Sequence, residues 1–410
     1  MTKHASLGFV FMVVFLDMLG FGLIMPVLPS LIMELGAFPV DRAAIWAGWL
    51  GAGYAALQFI FAPIIGNLSD RFGRRPVLLA SIFAFGLDYL LMAFAPTLWW
   101  LVVGRMIAGI TGASFSAAYA YIADITPPEK RAANFGLVGM AFGLGFIFGP
   151  ALGGALGVFD PRYPFLAAAA LAFLNFAIGF FVLRESLPPE KRRAFNLARA
   201  NAFSSLKALG QQNTTVLWFV AALGVWQLAH LVYPIIWAYF AIAAFGWGEA
   251  EIGFSLACVG ISSALVQGLG LRYLAPKLGE RNSVIVGIAS VLIVSLVYAF
   301  VRFDPLIYAA LLFGGLQGLV QPSIAAMNSR FVDATSQGEL QGATQAVGSL
   351  AAVIGPPIYT LVFAAFAGAE YRFPGMPILL AAGFALIALA LFLMGLGRAE
   401  KAADIAPSGG

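Results

Sequence analysis

Asp17, Asp88, Arg105 and His230 each stand inside a long apolar run of this 410-residue chain. A charge in hydrocarbon costs at least about 2.5 kcal/mol on insertion scales, so such residues mark pairing, binding or ion transfer. A carboxyl group shielded from water holds its proton more tightly than one in solution, the property a proton carrier needs. Asp17 is followed by Pro26 and Pro29, which loosen the outer part of its helix. Asp88 has Tyr89 beside it, and Arg105 is a cation able to neutralise either carboxylate. The plainer alternative for all three is a static buried ion pair. His230 titrates in a useful range, although it stands alone.

A second set of candidates is the segment Gly66-Asn67-Leu68-Ser69-Asp70-Arg71-Phe72-Gly73-Arg74-Arg75-Pro76. Gly66 and Gly73 permit a tight loop between two helices. Asp70 among Arg71, Arg74 and Arg75 offers a charge network that forms in one conformation and breaks in another, a gating latch. The alternative is a basic loop that only sets orientation. Further on, Gly145, Gly149, Pro150, Gly153 and Gly154 crowd one run. Spacings of three and four bring small residues to one helix face, and Pro150 should bend it. Tight packing with no moving role accounts for these glycines equally well. Gln227, His230, Tyr233 and Gln267 are candidates to line a cavity for a flat polar substrate, or to act as interhelical hydrogen-bond glue.

The elements that position these residues follow from composition. Hydrophobic residues make up 61% of the chain and charged ones 10%, against roughly 25% charged in a soluble domain. Runs of about 20 apolar residues match the bilayer core. Their continuity argues for helices rather than spanning strands. Helices are expected near 7–34, 44–66, 77–95, 98–121, 133–158 and 163–184, then near 213–240, 250–271, 283–301, 304–329, 339–366 and 374–396. With twelve spans both termini share a side. Eighteen of the 23 basic residues fall on that side and four on the other, Arg105 lying within a helix. The termini are therefore expected to be cytoplasmic. The net charge of +4 needs no acidic partner, and the single cysteine, Cys258, allows no intrachain disulfide.

Gly73 and Gly279, Gly136 and Gly342, and Gly149-Pro150 and Gly355-Pro356 are each 206 residues apart. The chain thus reads as two six-helix bundles, 1–184 and 213–410, related by a pseudo-two-fold axis along the membrane normal. A cytoplasmic central loop, 185–212, separates them. Such repeats place a substrate site at the midplane between halves. The chain shows no His-rich metal cluster, nucleophile elbow or Walker-type loop, which argues against a membrane enzyme. The lack of a soluble output domain argues against a sensor.

Leu16-Asp17-Met18-Leu19-Gly20-Phe21-Gly22-Leu23-Ile24-Met25-Pro26-Val27-Leu28-Pro29, Ser69 to Pro76, Asp88-Tyr89, Gly104-Arg105, Tyr121 to Thr126, Gly149-Pro150, Gln341-Gly342 and Gly355-Pro356 together resemble the tetracycline/proton antiporter family. The likeness runs through essentially the whole chain. It implies the major facilitator fold and a monomer in a bacterial inner membrane, with no bound cofactor, no nucleic-acid partner and the proton as coupling ion. By that resemblance a small-molecule substrate, a drug carried as a divalent-cation chelate, leaves as a proton enters. Asp17 and Asp88 would be the intramembrane carboxylates and Arg105 their charge partner. Ser69, Asp70 and Arg74 would belong to the gating loop, and Gln267 to the transport path. At two positions, aligned through Gly279, the chain departs from the family's tetracycline exporters. Ser263 stands where they carry a proton-relaying histidine, and Val291 where they carry an aspartate. Export by alternating access is the expected activity, with proton-driven import of a nutrient as the alternative.

Overall fold

In hydrocarbon a backbone has no water to bond, so each apolar run closes its own N–H and C=O groups in a helix. The structure, a computed structural model, describes residues 3–112, 114–127, 131–193, 214–332, 337–368 and 371–405, and among these no strand occurs. The first span, α1, is two segments, Lys3–Ile24 and Leu28–Gly36, bent by 47° at the turn between them. Pro26 and Pro29 supply no N–H to the helical ladder. The N–H groups of Met25 and Val27 instead reach back three residues, to the carbonyls of Gly22 and Ile24.

The remaining first-half spans are α2 (Val40–Phe72), α3 (Arg74–Ala93), α4 (Leu98–Thr111 and Ser114–Ile125), α5 (Arg131–Gly157) and α6 (Tyr163–Val182). The second set is α7 (Thr214–His230 and Val232–Phe245), α8 (Glu249–Leu265 continued by Val266–Leu274), α9 (Ala275–Phe300), α10 (Asp304–Arg330), α11 (Gln337–Ala367) and α12 (Met376–Ile405). Nine described helices are long and apolar enough to cross a membrane, and the bent α1 makes ten. The 52-residue stretch Glu249–Phe300 would be about 78 Å long as one rod. It breaks at Gly279 (φ 72°, ψ 167°) and so supplies two crossings. With α4, whose residue 113 lies outside the described residues, the spans number twelve.

Two irregular windings fall in the second half. Val266–Leu274 of α8 is wound as a wider π-helix, and Gly314–Leu319 of α10 tightens to a 3-10 turn. Departures of this kind are frequent at functional positions.

The helices gather into two compact units, Met1–Ala200 with Ala238–Gly260, and Asn201–Trp237 with Ile261–Gly410. By contacts, residues 238–260 group with the first unit although they follow the central loop in sequence. Of that loop, 194–212 lie outside the described residues; Pro189–Lys191 before them form a 3-10 turn. The packed cores obey the same 206-residue offset as the glycines. Val13, Leu78, Ile82 and Ala118 are buried together in the first unit. Phe219, Val284, Ile288 and Ile324 occupy the matching places in the second. Large apolar side chains such as Phe181 (84% exposed) and Phe159 (79%) stand outside, a surface suited to lipid rather than water. Trp49, Trp99 and Trp100 are exposed near the starts of α2 and α4, where interfacial anchors belong.

Candidate functional site

The segment expected to be a loop around Asp70 is almost entirely helical. Gly66, Ser69, Asp70 and Arg71 lie in the last turns of α2, and Arg74 and Arg75 open α3. Only Gly73 is non-helical, with φ 107° and ψ 159°, a conformation essentially reserved for glycine. Gly66 therefore takes no part in the turn. The polar residues that looked like loop are helix extending beyond the hydrocarbon.

Across this one-residue turn, Arg74 ties three helices together. Its Nη1 lies 2.7 Å from Asp70 Oδ1 and 2.8 Å from Ser69 Oγ, and its Nε lies 3.2 Å from Asp124 Oδ2 at the end of α4. Glu185, just past α6, accepts the backbone N–H groups of Arg74 (2.8 Å) and Arg75 (3.3 Å). The first turn of a helix leaves N–H groups unpaired and carries positive potential, so a carboxylate there is stabilising. Arg75 donates to the Phe180 carbonyl at 2.7 Å and lies over the Phe180 ring. The network joins α2, α3, α4 and the end of α6, all within the first unit. Glu185 escaped the sequence reading because its partners at the start of α3 are more than a hundred residues away and it sits in what reads as linker.

Deeper in the same unit, Arg105 Nη2 of α4 lies 3.0 Å from Asp88 Oδ2 of α3 and 3.2 Å from Met92 Sδ. Asp88 is fully buried and the Arg105 side chain 12% exposed. Gly104 makes room for the carboxylate, since a Cβ there would come within 2.4 Å of Asp88 Oδ1. Pairing opposite charges offsets the cost of burying them, in full only where their remaining polar atoms are bonded too. Here Asp88 Oδ1 and Arg105 Nε find no partner among the described residues. The Arg105 guanidinium also lies 5.9 Å from the centre of the Tyr54 ring.

Asp17 is not paired with Arg105. It receives a hydrogen bond from Asn175 Nδ2 of α6 at 3.3 Å. It also lines a cavity of about 30 Å³ together with Tyr54 of α2 and Phe85 and Tyr89 of α3, room for about one water molecule. Tyr54 connects the two sites, since it faces this cavity and also lies under Arg105. Gln58 holds Tyr54 in place, its Nε2 donating to the phenol oxygen at 3.3 Å and to the Gly112 carbonyl at 3.2 Å. Tyr54, Gln58 and Asn175 were missed in the sequence. A lone amide in an otherwise apolar helix was the available signal for Asn175.

The glycines of α5 serve two neighbours rather than one. Cβ atoms at Gly145, Gly149 and Gly153 would strike α1 backbone at Met18, Leu19, Gly22 and Leu23. Added at Gly154, a Cβ would meet the Glu249 carbonyl of α8 at 2.3 Å. Pro150 lies within α5, packed against Gly22. Between the same elements Ser30 of α1 donates to Glu249. In the second unit, His230 is exposed at the break in α7, with Nδ1 3.1 Å from Gln317 Oε1. Tyr233 stands edge-on to His230 at 6.0 Å. Gln227 turns to α11, where Gly348 gives it space, so it behaves as interhelical contact. Gln267 is exposed on the π-helical part of α8. Ser263 is half-buried and Val291 belongs to the second-unit core.

Twelve helices in two repeats, with an ion pair and a further carboxyl group held among them, define a polytopic membrane transporter. A model of the Major Facilitator Superfamily matches residues 10–356 and, separately, 229–406. The class C tetracycline resistance protein of Escherichia coli is 41% identical over 368 residues, covering 90% of this chain and 92% of that protein. The class H protein of Pasteurella multocida is 35% identical, covering 88% and 89%. The chain belongs to the Major Facilitator Superfamily, in the branch of the tetracycline resistance proteins. The human organic anion transporter MFSD10 shares the fold, with a TM-score of 0.69, 22% identity and coverage of 95% and 99%.

Proposed function

We propose that the protein exports a small molecule of tetracycline type from the cytoplasm in exchange for protons. The observation that carries this reading is the placement of Asp17 beside the Asp88–Arg105 pair, with Tyr54 facing both. One carboxyl group, without a cationic partner among the described residues, lies across Tyr54 from one that has such a partner. Proton gain at either changes the local charge, and a change of charge biases a two-state transporter. The tetracycline resistance proteins, 34–41% identical, supply the substrate class. The substrate travels as a divalent-cation chelate, and no resident cofactor is needed. The protein works as a monomer in the bacterial inner membrane, with both termini and the Arg74 network on the cytoplasmic side. There the network stabilises one of the two states.

Everted membrane vesicles test this. With the interior acidified, tetracycline should accumulate in the presence of magnesium, and a protonophore should abolish the accumulation. Accumulation that persists without a gradient, or drug moving out of such vesicles with the protons, would remove the antiport reading and favour import.

A further inference from the structure

Apart from Tyr163 at its start, Asn175 is the only polar side chain in α6, and it is fully buried. An amide taken out of water is costly unless its groups are bonded. Asn175 Nδ2 lies 3.3 Å from the Val13 carbonyl oxygen and 3.3 Å from Asp17 Oδ1. Asn175 Oδ1 has no partner among the described residues. Val13 and Asp17 are one turn apart on α1, so a single amide nitrogen spans both. Its donor suits an ionised Asp17. Its idle acceptor suits a protonated one, whose O–H needs a partner. Half a turn about the last side-chain torsion exchanges the amide's oxygen and nitrogen.

We propose that Asn175 is the positioning residue for the proton on Asp17, donating to the carboxylate and, turned over, accepting from the carboxylic acid. In both states the carboxyl group stays aimed at the cavity it shares with Tyr54 and Tyr89. This rests on the proton exchange at Asp17 proposed above. The titratable groups that face Asp17 are Tyr54 from α2 and Tyr89 from α3. The Asp88–Arg105 pair lies within electrostatic range of Tyr89. Among the described residues α5 and α6 bring no titratable side chain to this place.

The test uses the full chain in proteoliposomes. Tetracycline-driven proton movement is measured over a pH series, beside tetracycline–tetracycline exchange, which moves no net proton. Asn175→Leu keeps the number and branching of the side-chain heavy atoms and removes both roles. Hydrogen bonds to an ionised group are about twice as strong as neutral ones, so the lost donor outweighs the lost acceptor. The pH profile of Asn175→Leu should move by about one unit to the alkaline side, with exchange retained. Asn175→Thr, whose hydroxyl both donates and accepts, should stay nearer the wild type. An unmoved profile, or proton movement and exchange falling by one common factor at every pH, would reduce Asn175 to interhelical glue and overturn the proposal. Infrared difference spectroscopy decides separately, including the cases where Asn175→Leu fails to accumulate or the wild type moves no protons. The carbonyl stretch of protonated Asp17, identified by its loss in Asp17→Asn, should shift in Asn175→Thr; an identical band would overturn the proposal.

Discussion

The turn at Gly73 between α2 and α3 and the break at Gly279 within α9 share one backbone geometry and carry flanking ion pairs of opposite polarity. Gly73 and Gly279 adopt the same left-handed extended conformation. At Gly73 the flanking ion pair is Arg74 with Asp124. At the same 206-residue offset, Glu280 follows the break in α9 and pairs with Arg330 at the end of α10. The rest of the first-half network has no copy, since Asp70 becomes Pro276 and Glu185 becomes Leu391. Inside the membrane the contrast is sharper. Asp17, Asp88 and Arg105 correspond to Leu223, Val294 and Leu311, all buried. Backbone geometry and core positions are thus held in common while, among the described residues, the intramembrane carboxylates and their arginine stand in one half. The repeat supplies a scaffold, and the proposed proton coupling rests on one copy of it.

That division can be broken most severely at the buried pair. Arg105→Ala should abolish transport and cost roughly 3–5 kcal/mol, because it leaves Asp88 buried without its cation. Asp88→Val/Arg105→Leu borrows the second-half residues. It should recover most of the lost thermal stability in detergent, since apolar replacement of a buried pair is often neutral, yet still not transport. Recovery of transport would mean the pair is only structural.

A smaller effect separates the two turns. Either glycine replaced by alanine should cost roughly 1–3 kcal/mol, because the conformation suits glycine alone. At Gly73 the new Cβ would also lie 2.2 Å from Glu185 Oε2, whereas nothing lies within 4 Å of it at Gly279. Gly73→Ala should therefore exceed Gly279→Ala by about 1 kcal/mol or more, the scale of a displaced charged hydrogen bond. Equal melting shifts would deny Glu185 its capping role.

The smallest effect is expected from reversing the ion pairs. Glu280→Arg/Arg330→Glu exchanges the partners of a pair whose arginine is 69% exposed, and should change stability by less than about 1 kcal/mol. Arg74→Glu/Asp124→Arg should be worse by roughly 2 kcal/mol, since the new glutamate faces Asp70 and gives up Ser69. Equal outcomes in both halves would make the polarity of these pairs indifferent.

The twelve spans and the repeat were legible in the sequence because hydropathy and Gly-Pro positions are local and periodic. The ends of α2 were not. Ser69, Asp70 and Arg71 are polar, and polar residues read as loop even where a helix continues past the membrane. The Asp88–Arg105 pair was open to inference because two intramembrane charges of opposite sign are rare. Asn175 beside Asp17 and Glu185 at the start of α3 required the tertiary fold, as each meets its partner across more than a hundred residues. The π-helical stretch around Gln267 is marked only by Gly268 and Gly270, too weak a pattern in a chain with 46 glycines.

Asp17→Asn in proteoliposomes tests the account most directly, with proton-driven tetracycline accumulation and tetracycline–tetracycline exchange measured side by side. An asparagine keeps the shape of the carboxyl group and cannot take up or release its proton. Exchange should continue while accumulation against a gradient disappears. Accumulation at the wild-type level would show that the coupling proton travels elsewhere.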